Sequence, residues 1–117
     1  MSINIITLSR FSKKINAEYN NHGKLFAYGA SARSSTLLNY TKLDNTYFDF
    51  IIDQNKLKKN LFTPGTNILI KSLKDVRKKL NSYKCMVLLA WNFEKEIKNI
   101  LKKNGYNGKI IVPFQKK

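Results

Sequence analysis

The chain has 117 residues, of which 43% are hydrophobic, and its formal net charge is +15, from 22 Lys and Arg against 7 Asp and Glu. This length and apolar content predict one folded domain over residues 1–117 and argue against a disordered chain. One Cys and one His exclude a disulfide framework and a Cys/His zinc site, and without a signal-peptide pattern or an apolar run of ~20 residues we expect a cytoplasmic protein.

The first part of the chain predicts a helix, a strand and a second helix. The helix over about 8–21 is indicated by apolar residues at helical spacing, which are Leu8, Phe11, Ile15 and Tyr19. Gly23 is suited to end it. Residues 24–28 read as a buried strand, and a short helix follows at about 32–41.

The rest of the chain alternates strands with helices. Further strands are predicted at 47–52, 67–70, 85–90 and 109–113. The strongly apolar run 85–90 indicates a strand that is covered on both faces. Ser72, with Asp75 three residues later, predicts the start of one helix, and Asn92 is a candidate cap for the last helix. Pro64 and Gly65 mark a turn between the second and third strands.

Alternating strands and helices predict an α/β fold. We expect a single Rossmann-like three-layer domain, with a parallel sheet of about five strands, helices on both faces and strand order 3-2-1-4-5. In that order the first and fourth strands are neighbours at the topological switch point, where α/β folds bind their ligands. The turn after 24–28 and the segment 90–92 then meet at one crevice.

The turn after the first strand is the main candidate site. Its small residues and hydroxyls lead into a helix, and they are Gly29, Ala30, Ser31, Ala32, Arg33, Ser34, Ser35 and Thr36. A helix N-terminus offers unpaired amides and partial positive charge, so a phosphate or pyrophosphate is the expected ligand. The turn lacks two glycines of the dinucleotide fingerprint, and a purely structural turn is the alternative.

Four other residues are candidate ligand contacts. Asp53 ends the second strand, where dinucleotide folds bind a ribose hydroxyl, although it is equally suited to capping the following loop. Asn55 follows it. Trp91 and Asn92 end the fourth strand, where Trp91 would stack on a ligand or pack in the core. No catalytic set of side chains and no metal site are predicted.

The positive charge also suggests a nucleic-acid-binding module. Its distribution favours a solvated surface, because the lysines are spread along the chain. Lys residues far outnumber Arg, although Arg is the usual residue for bidentate recognition of phosphates and bases. We therefore consider nucleic acid an unlikely partner and retain this class only as an alternative.

The run from Tyr28 to Tyr40, with the sequence YGASARSSTLLNY, resembles the signature of the C-terminal domain of S-adenosylmethionine-dependent sugar C-methyltransferases. Further matches follow in order at 50–55, 58–68, 88–93 and 111–113, so the resemblance covers about 23–114. Ala27, Ser34, Ser35 and Asn60 depart from the family pattern, in which Gly, Gly, Asn and Gly respectively are usual.

The resemblance implies a domain that binds a nucleotide-linked sugar, with the diphosphate on the turn amides and Arg33, the sugar or ribose near Asp53 and Asn55, and Trp91 and Asn92 lining the crevice. It also implies that S-adenosylmethionine and the acid/base residues belong to regions outside this domain. We thus expect a fragment or stand-alone relative that binds no cofactor itself and is not catalytic alone. A docking or regulatory subunit for a separate methyltransferase is the alternative.

Overall fold

A computed structural model describes residues 5–113. Its elements in chain order are helix α1 (Ile5–His22), strand β1 (Leu25–Tyr28), helix α2 (Ala32–Thr41), strand β2 (Phe48–Ile52), strand β3 (Ile70–Lys71), helix α3 (Leu73–Val76), strand β4 (Cys85–Leu88), helix α4 (Glu94–Lys103) and strand β5 (Lys109–Ile111). Short 3₁₀ helices at Lys56–Lys58, Arg77–Ser82 and Trp91–Phe93 complete the order.

The five strands form one parallel sheet in the order β3-β2-β1-β4-β5. This confirms the predicted α/β class and strand order. Each pair of consecutive strands is joined by a crossover connection, as parallel pairing requires. Because β1 lies between β2 and β4, the loops that follow these three strands meet at one edge of the sheet.

The sheet separates two hydrophobic cores. Alternate residues of β1 point to opposite faces, so Leu25 and Ala27 join the core under α1 and α2, while Phe26 and Tyr28 join the core under α3 and α4. Both cores are almost completely buried. The strands therefore read as continuous apolar runs, since neither face of the sheet meets water.

Strand β2 contains a local irregularity at Asp49. Leu25 pairs with Phe48, but the next residue, Phe26, pairs with Phe50, so Asp49 is passed over in the register. The carboxylate of this exposed residue accepts a hydrogen bond of 2.8 Å from the Tyr83 hydroxyl and lies 3.5 Å from Lys24 Nζ. The extra residue turns Phe48 and Phe50 toward opposite cores.

Two local predictions are wrong. The third strand was expected at 67–70, but β3 begins at Ile70. Leu69 forms an isolated antiparallel bridge with Phe62 across the Pro64–Gly65 turn, while its carbonyl accepts a hydrogen bond of 2.9 Å from the Ile51 amide of β2. Asn92 was expected to cap the last helix. It lies within a 3₁₀ helix, and α4 begins at Glu94 without a side-chain cap.

Other helix boundaries follow the sequence closely. Gly23 ends α1 with a φ of +81° and donates a hydrogen bond of 2.8 Å to the Tyr19 carbonyl. The Ser72 hydroxyl caps α3 by accepting from the Asp75 amide. Among residues 5–113 no helix has the length and apolar character needed to cross a membrane.

Candidate functional site

The turn after β1 is held by a close contact between β1 and β4. Gly29 has a φ of +106°, and a Cβ atom built on it would lie 2.7 Å from Cβ of Ala90. The amides of Leu89 and Ala90 both donate to the carbonyl of Tyr28. Glycine is therefore required at position 29 for two reasons: the backbone is left-handed there, and the segment after β4 approaches it too closely for a side chain. The structure brings the turn and the segment after β4 together as predicted.

Part of the expected anion site is already occupied by the protein. The Gly29 amide donates to the Ile52 carbonyl, and the Ala30 amide donates to Asp53 Oδ2 at 2.9 Å. The amides of Ser34 and Ser35 donate to the hydroxyl and the carbonyl of Ser31, respectively. The prediction that all amides from 29 to 35 are available is therefore wrong for four of them. Within the described chain, the amides of residues 31, 32 and 33 have no protein acceptor, and these three residues are exposed.

Most of the hydroxyls in the turn stabilise it internally. Ser31 is the N-cap of α2, and its hydroxyl also lies 2.9 Å from that of Ser34, which is 1% exposed. The Thr36 hydroxyl donates to the Ala32 carbonyl inside the helix. Ser34 and Thr36 were expected as ligand donors. In the structure their hydroxyls are engaged at the start of α2. Among the described residues of the turn, the donors that remain are the exposed amides, the Arg33 guanidinium and the Ser35 hydroxyl.

Replacing Ser31 by Ala should lower the free energy of unfolding by about 2 kcal/mol, because the cap is lost and the buried Ser34 hydroxyl loses its partner. Urea denaturation would measure this loss. Ser31→Asp keeps an acceptor for the Ser34 amide and should restore most of the stability. An Ala variant as stable as the parent would show that this cap contributes nothing.

Arg33 and Trp91 form the side of the site that faces β4. The guanidinium carbon of Arg33 lies 4.8 Å from the centroid of the Trp91 ring, which is within the range of a cation–π contact. Trp91 is only 4% exposed and belongs to the core under α1 and α2. Its sequence position allowed either packing or ligand contact, and the structure shows packing beneath Arg33.

Asp53 and Lys58 hold the opposite side of the turn. Besides the bond from Asp53 to the Ala30 amide, Lys58 Nζ donates to the Ala30 carbonyl at 2.7 Å. Lys58 Nζ also lies 4.0 Å from Asp53 Oδ2. Asp53 thus lies beside the turn, and both of its oxygens bond to the backbone: Oδ2 accepts from the Ala30 amide, and Oδ1 caps the following loop by accepting from the Asn55 amide at 2.8 Å. Lys58, which the sequence analysis did not single out, supplies a cation at the same place.

Asn55 contributes its backbone amide to this arrangement, through the bond to Asp53, but not its side chain. Its side chain accepts a hydrogen bond of 3.0 Å from the Leu57 amide and caps a 3₁₀ helix. Local sequence alone gives Asn55 this capping role, because Asn at the start of a short helix commonly bonds the backbone two residues later.

Four cavities surround the turn. One of 290 Å³ lies between residues 31–33 and 89–93, so it includes Arg33, Trp91 and Asn92. A cavity of 520 Å³ lies between α1 and α2, and one of 890 Å³ lies between α2 and the segment 58–64. A fourth, of 410 Å³, is lined by Asp53, Gln54 and Glu96, among others. Tyr40, Gln54 and Glu96 were missed, because no local motif marks them.

The shifted pKa values lie in other parts of the molecule. Burial raises the pKa of the Cys85 thiol to about 12, so this residue stays protonated as a core side chain. Burial, with the Asp49 carboxylate, raises the pKa of Tyr83 to about 12. Residues 5–113 contain no cluster of His, Cys, Asp or Glu arranged for a metal ion.

A comparison with family models matches residues 7–114 to the C-methyltransferase C-terminal domain. No curated protein sequence gives a significant match to the chain. The matched region includes α1, the turn after β1 and all five strands, which confirms the resemblance seen in the sequence. The chain belongs to the C-methyltransferase C-terminal domain family.

Proposed function

We propose that this domain binds the nucleoside diphosphate part of a nucleotide-linked sugar for a sugar C-methyltransferase. The observation that carries the proposal is the exposed start of α2, where three unpaired amides and Arg33 lie beside the switch point of a family-matched domain. The diphosphate would accept from the amides of Ser31, Ala32 and Arg33.

The charges in the first turn of α2 favour an anion. This helix of ten residues has no acidic residue in its first turn, where Asp or Glu would normally stabilise the positive end of the helix dipole. Arg33 adds a further positive charge at that end. An anionic ligand would balance both the positive end of the helix dipole and the charge of Arg33. A helix with its own Asp or Glu in the first turn would have less need of such a ligand.

Asp53 limits where the phosphates would lie. Its carboxylate is bound to the Ala30 amide, so a diphosphate placed directly on Ala30 would meet a negative charge. The exposed amides begin one residue later, and Lys58 partly compensates the charge of Asp53. Each carboxylate oxygen of Asp53 already accepts one backbone amide, Oδ2 from Ala30 and Oδ1 from Asn55. Each oxygen keeps a second lone pair that can accept from a sugar hydroxyl, which supports a sugar or ribose contact at Asp53.

The methyl donor would be bound by another part of the enzyme. The described residues offer one helix start at the switch point, and the proposal assigns it to the sugar nucleotide. S-adenosylmethionine and the acid/base groups would then come from another domain or subunit. Leu57, Leu61 and Phe62 support such a partner, because these apolar side chains are 86%, 55% and 60% exposed, respectively, and would be covered by a docked protein.

Titration with thymidine diphosphate tests the proposal. In ¹⁵N-labelled protein the amides of residues 31–33 should shift at millimolar ligand, and Arg33→Gln should weaken binding about tenfold, the loss expected for a charge-assisted hydrogen bond.

Arg77→Gln is the matched control, because it removes the same charge from an exposed residue on the other face of the sheet. Equal weakening by both variants would indicate general charge attraction. An unchanged spectrum of residues 31–33 at millimolar thymidine diphosphate would reject the proposed function.

A further inference from the structure

The cavities on the two sides of the turn differ in chemistry. The cavity of 520 Å³ between α1 and α2 has a mainly apolar wall that includes Leu8, Leu37, Tyr40 and Trp91. The wall of the 410 Å³ cavity is also mainly apolar, but it contains the carboxylates of Asp53 and Glu96 and the amide of Gln54, whereas the described residues that line the 520 Å³ cavity include no carboxylate. A sugar nucleotide has the same asymmetry, with a flat and largely apolar base at one end and a hydroxyl-rich sugar at the other.

We propose that the nucleobase enters the cavity between α1 and α2, and that the sugar extends from the diphosphate toward Asp53, Gln54 and Glu96. This orientation rests on the proposed function. Ala32 and Arg33 line the apolar cavity and also carry two of the exposed amides. A diphosphate on those amides therefore places its next group at the mouth of the cavity.

Tyr40 is the aromatic side chain that is available for stacking in this cavity. Its side chain is 64% exposed, whereas Trp91 is 4% exposed and covered by Arg33. An exposed ring binds any base through its face, which gives affinity with little base selectivity. Carboxylate and amide groups in the other cavity instead match sugar hydroxyls, which they recognise by accepting and donating hydrogen bonds.

The larger cavity of 890 Å³ is the competing place for the base. It shares Tyr40 with the apolar cavity but adds Lys58, Asn39 and Phe62 and does not touch Trp91. A flat base in the smaller cavity would be enclosed by α1 and α2, and enclosure of most of the ligand surface is typical of specific small-molecule sites. Phe62 and Trp91 therefore distinguish the two cavities experimentally.

Two probes separate the base from the diphosphate. Thymidine diphosphate and inorganic pyrophosphate should both shift the amides of residues 31–33. Trp91 is the sole tryptophan of the chain, so its fluorescence reports on this cavity. We expect thymidine diphosphate to change that fluorescence more than pyrophosphate does. Tyr40→Ala should weaken thymidine diphosphate binding about tenfold and leave pyrophosphate binding unchanged.

Phe62→Ala is the matched control, since Phe62 is 60% exposed and lines the larger cavity alone. It should bind both probes like the parent, and a folded amide spectrum would confirm the integrity of each variant. If the amides shift but Trp91 fluorescence responds equally to both probes, or Phe62→Ala weakens thymidine diphosphate, the orientation is overturned and the diphosphate site stands. If neither probe shifts residues 31–33, both proposals fail.

Discussion

Replacing Gly29 by Val should lower the free energy of unfolding by about 3 kcal/mol, because a left-handed backbone and an overpacked contact are imposed together. The φ of Gly29 is +106°, and its Cβ position lies 2.7 Å from Ala90 Cβ and 2.8 Å from Ala90 N. Since backbone atoms of Ala90, two residues after β4, form part of the obstacle, rotation of a side chain cannot relieve it. Urea denaturation would measure the loss, which is large beside a typical domain stability of ~5–15 kcal/mol.

Gly23→Ala separates the two causes. Gly23 has a φ of +81°, and its Cβ position has no atom within 4 Å, so only the backbone cost of about 1 kcal/mol remains. If the Gly29 variant loses no more stability than the Gly23 variant, the contact between β1 and β4 is not as close as the structure shows. The ligand-binding turn would then be less firmly placed than we describe.

Replacing Phe26 by Ala should lower the free energy of unfolding by about 3–5 kcal/mol, the usual range for truncating a fully buried aromatic side chain. Phe26 is 0% exposed at the centre of the core under α3 and α4. Its ring stacks on Phe50 with centroids 5.2 Å apart and meets Tyr83 and Tyr106 edge-on. Three neighbouring rings therefore lose a contact together, and the surrounding sheet has little freedom to close the cavity.

Phe93→Ala provides the control, because Phe93 is 60% exposed and its truncation should change the unfolding free energy by less than ~0.5 kcal/mol. Chemical denaturation of the two variants under identical conditions makes the comparison. A Phe26 variant within 1 kcal/mol of the parent, a bound set from the lower edge of the range for large core truncations, would contradict the assigned packing.

The sheet order was predictable because it depends on few and strong signals. Continuous apolar runs at 24–28 and 85–90 indicated strands covered on both faces, and alternation with helices indicated parallel pairing. Gly23 and Ser72 marked helix boundaries through chemistry that acts within a few residues. Each of these features depends on local backbone geometry, so the sequence alone was sufficient.

Contacts between distant residues decided the features that were missed. Asp53 binds the Ala30 amide across 23 positions, and Lys58 reaches the Ala30 carbonyl across 28. No local pattern indicates that these side chains would occupy part of the expected anion site. The bridge between Leu69 and Phe62 was missed as well, although Leu69 also bonds to β2 through its carbonyl.

The structure explains how the chain accommodates two of its departures from the family pattern, Asn60 and Ser34. Asn60 stands where the family pattern has Gly, and its φ is +68°. Asn is one of the few residues that adopt the left-handed conformation at low cost, so the loop keeps its path despite the substitution. The departure at Ser34 likewise has a structural role, since its buried hydroxyl bonds to the helix cap.

The two hydrogen bonds that hold the backbone of Ala30 have a consequence for ligand recognition. Its amide is held by Asp53 and its carbonyl by Lys58, so the loops after β1 and β2 behave as one rigid unit before any ligand arrives. Little ordering entropy should then be lost on association. Discrimination between ligands would come from complementarity to a surface that already has its shape, and association would not have to wait for a loop to close.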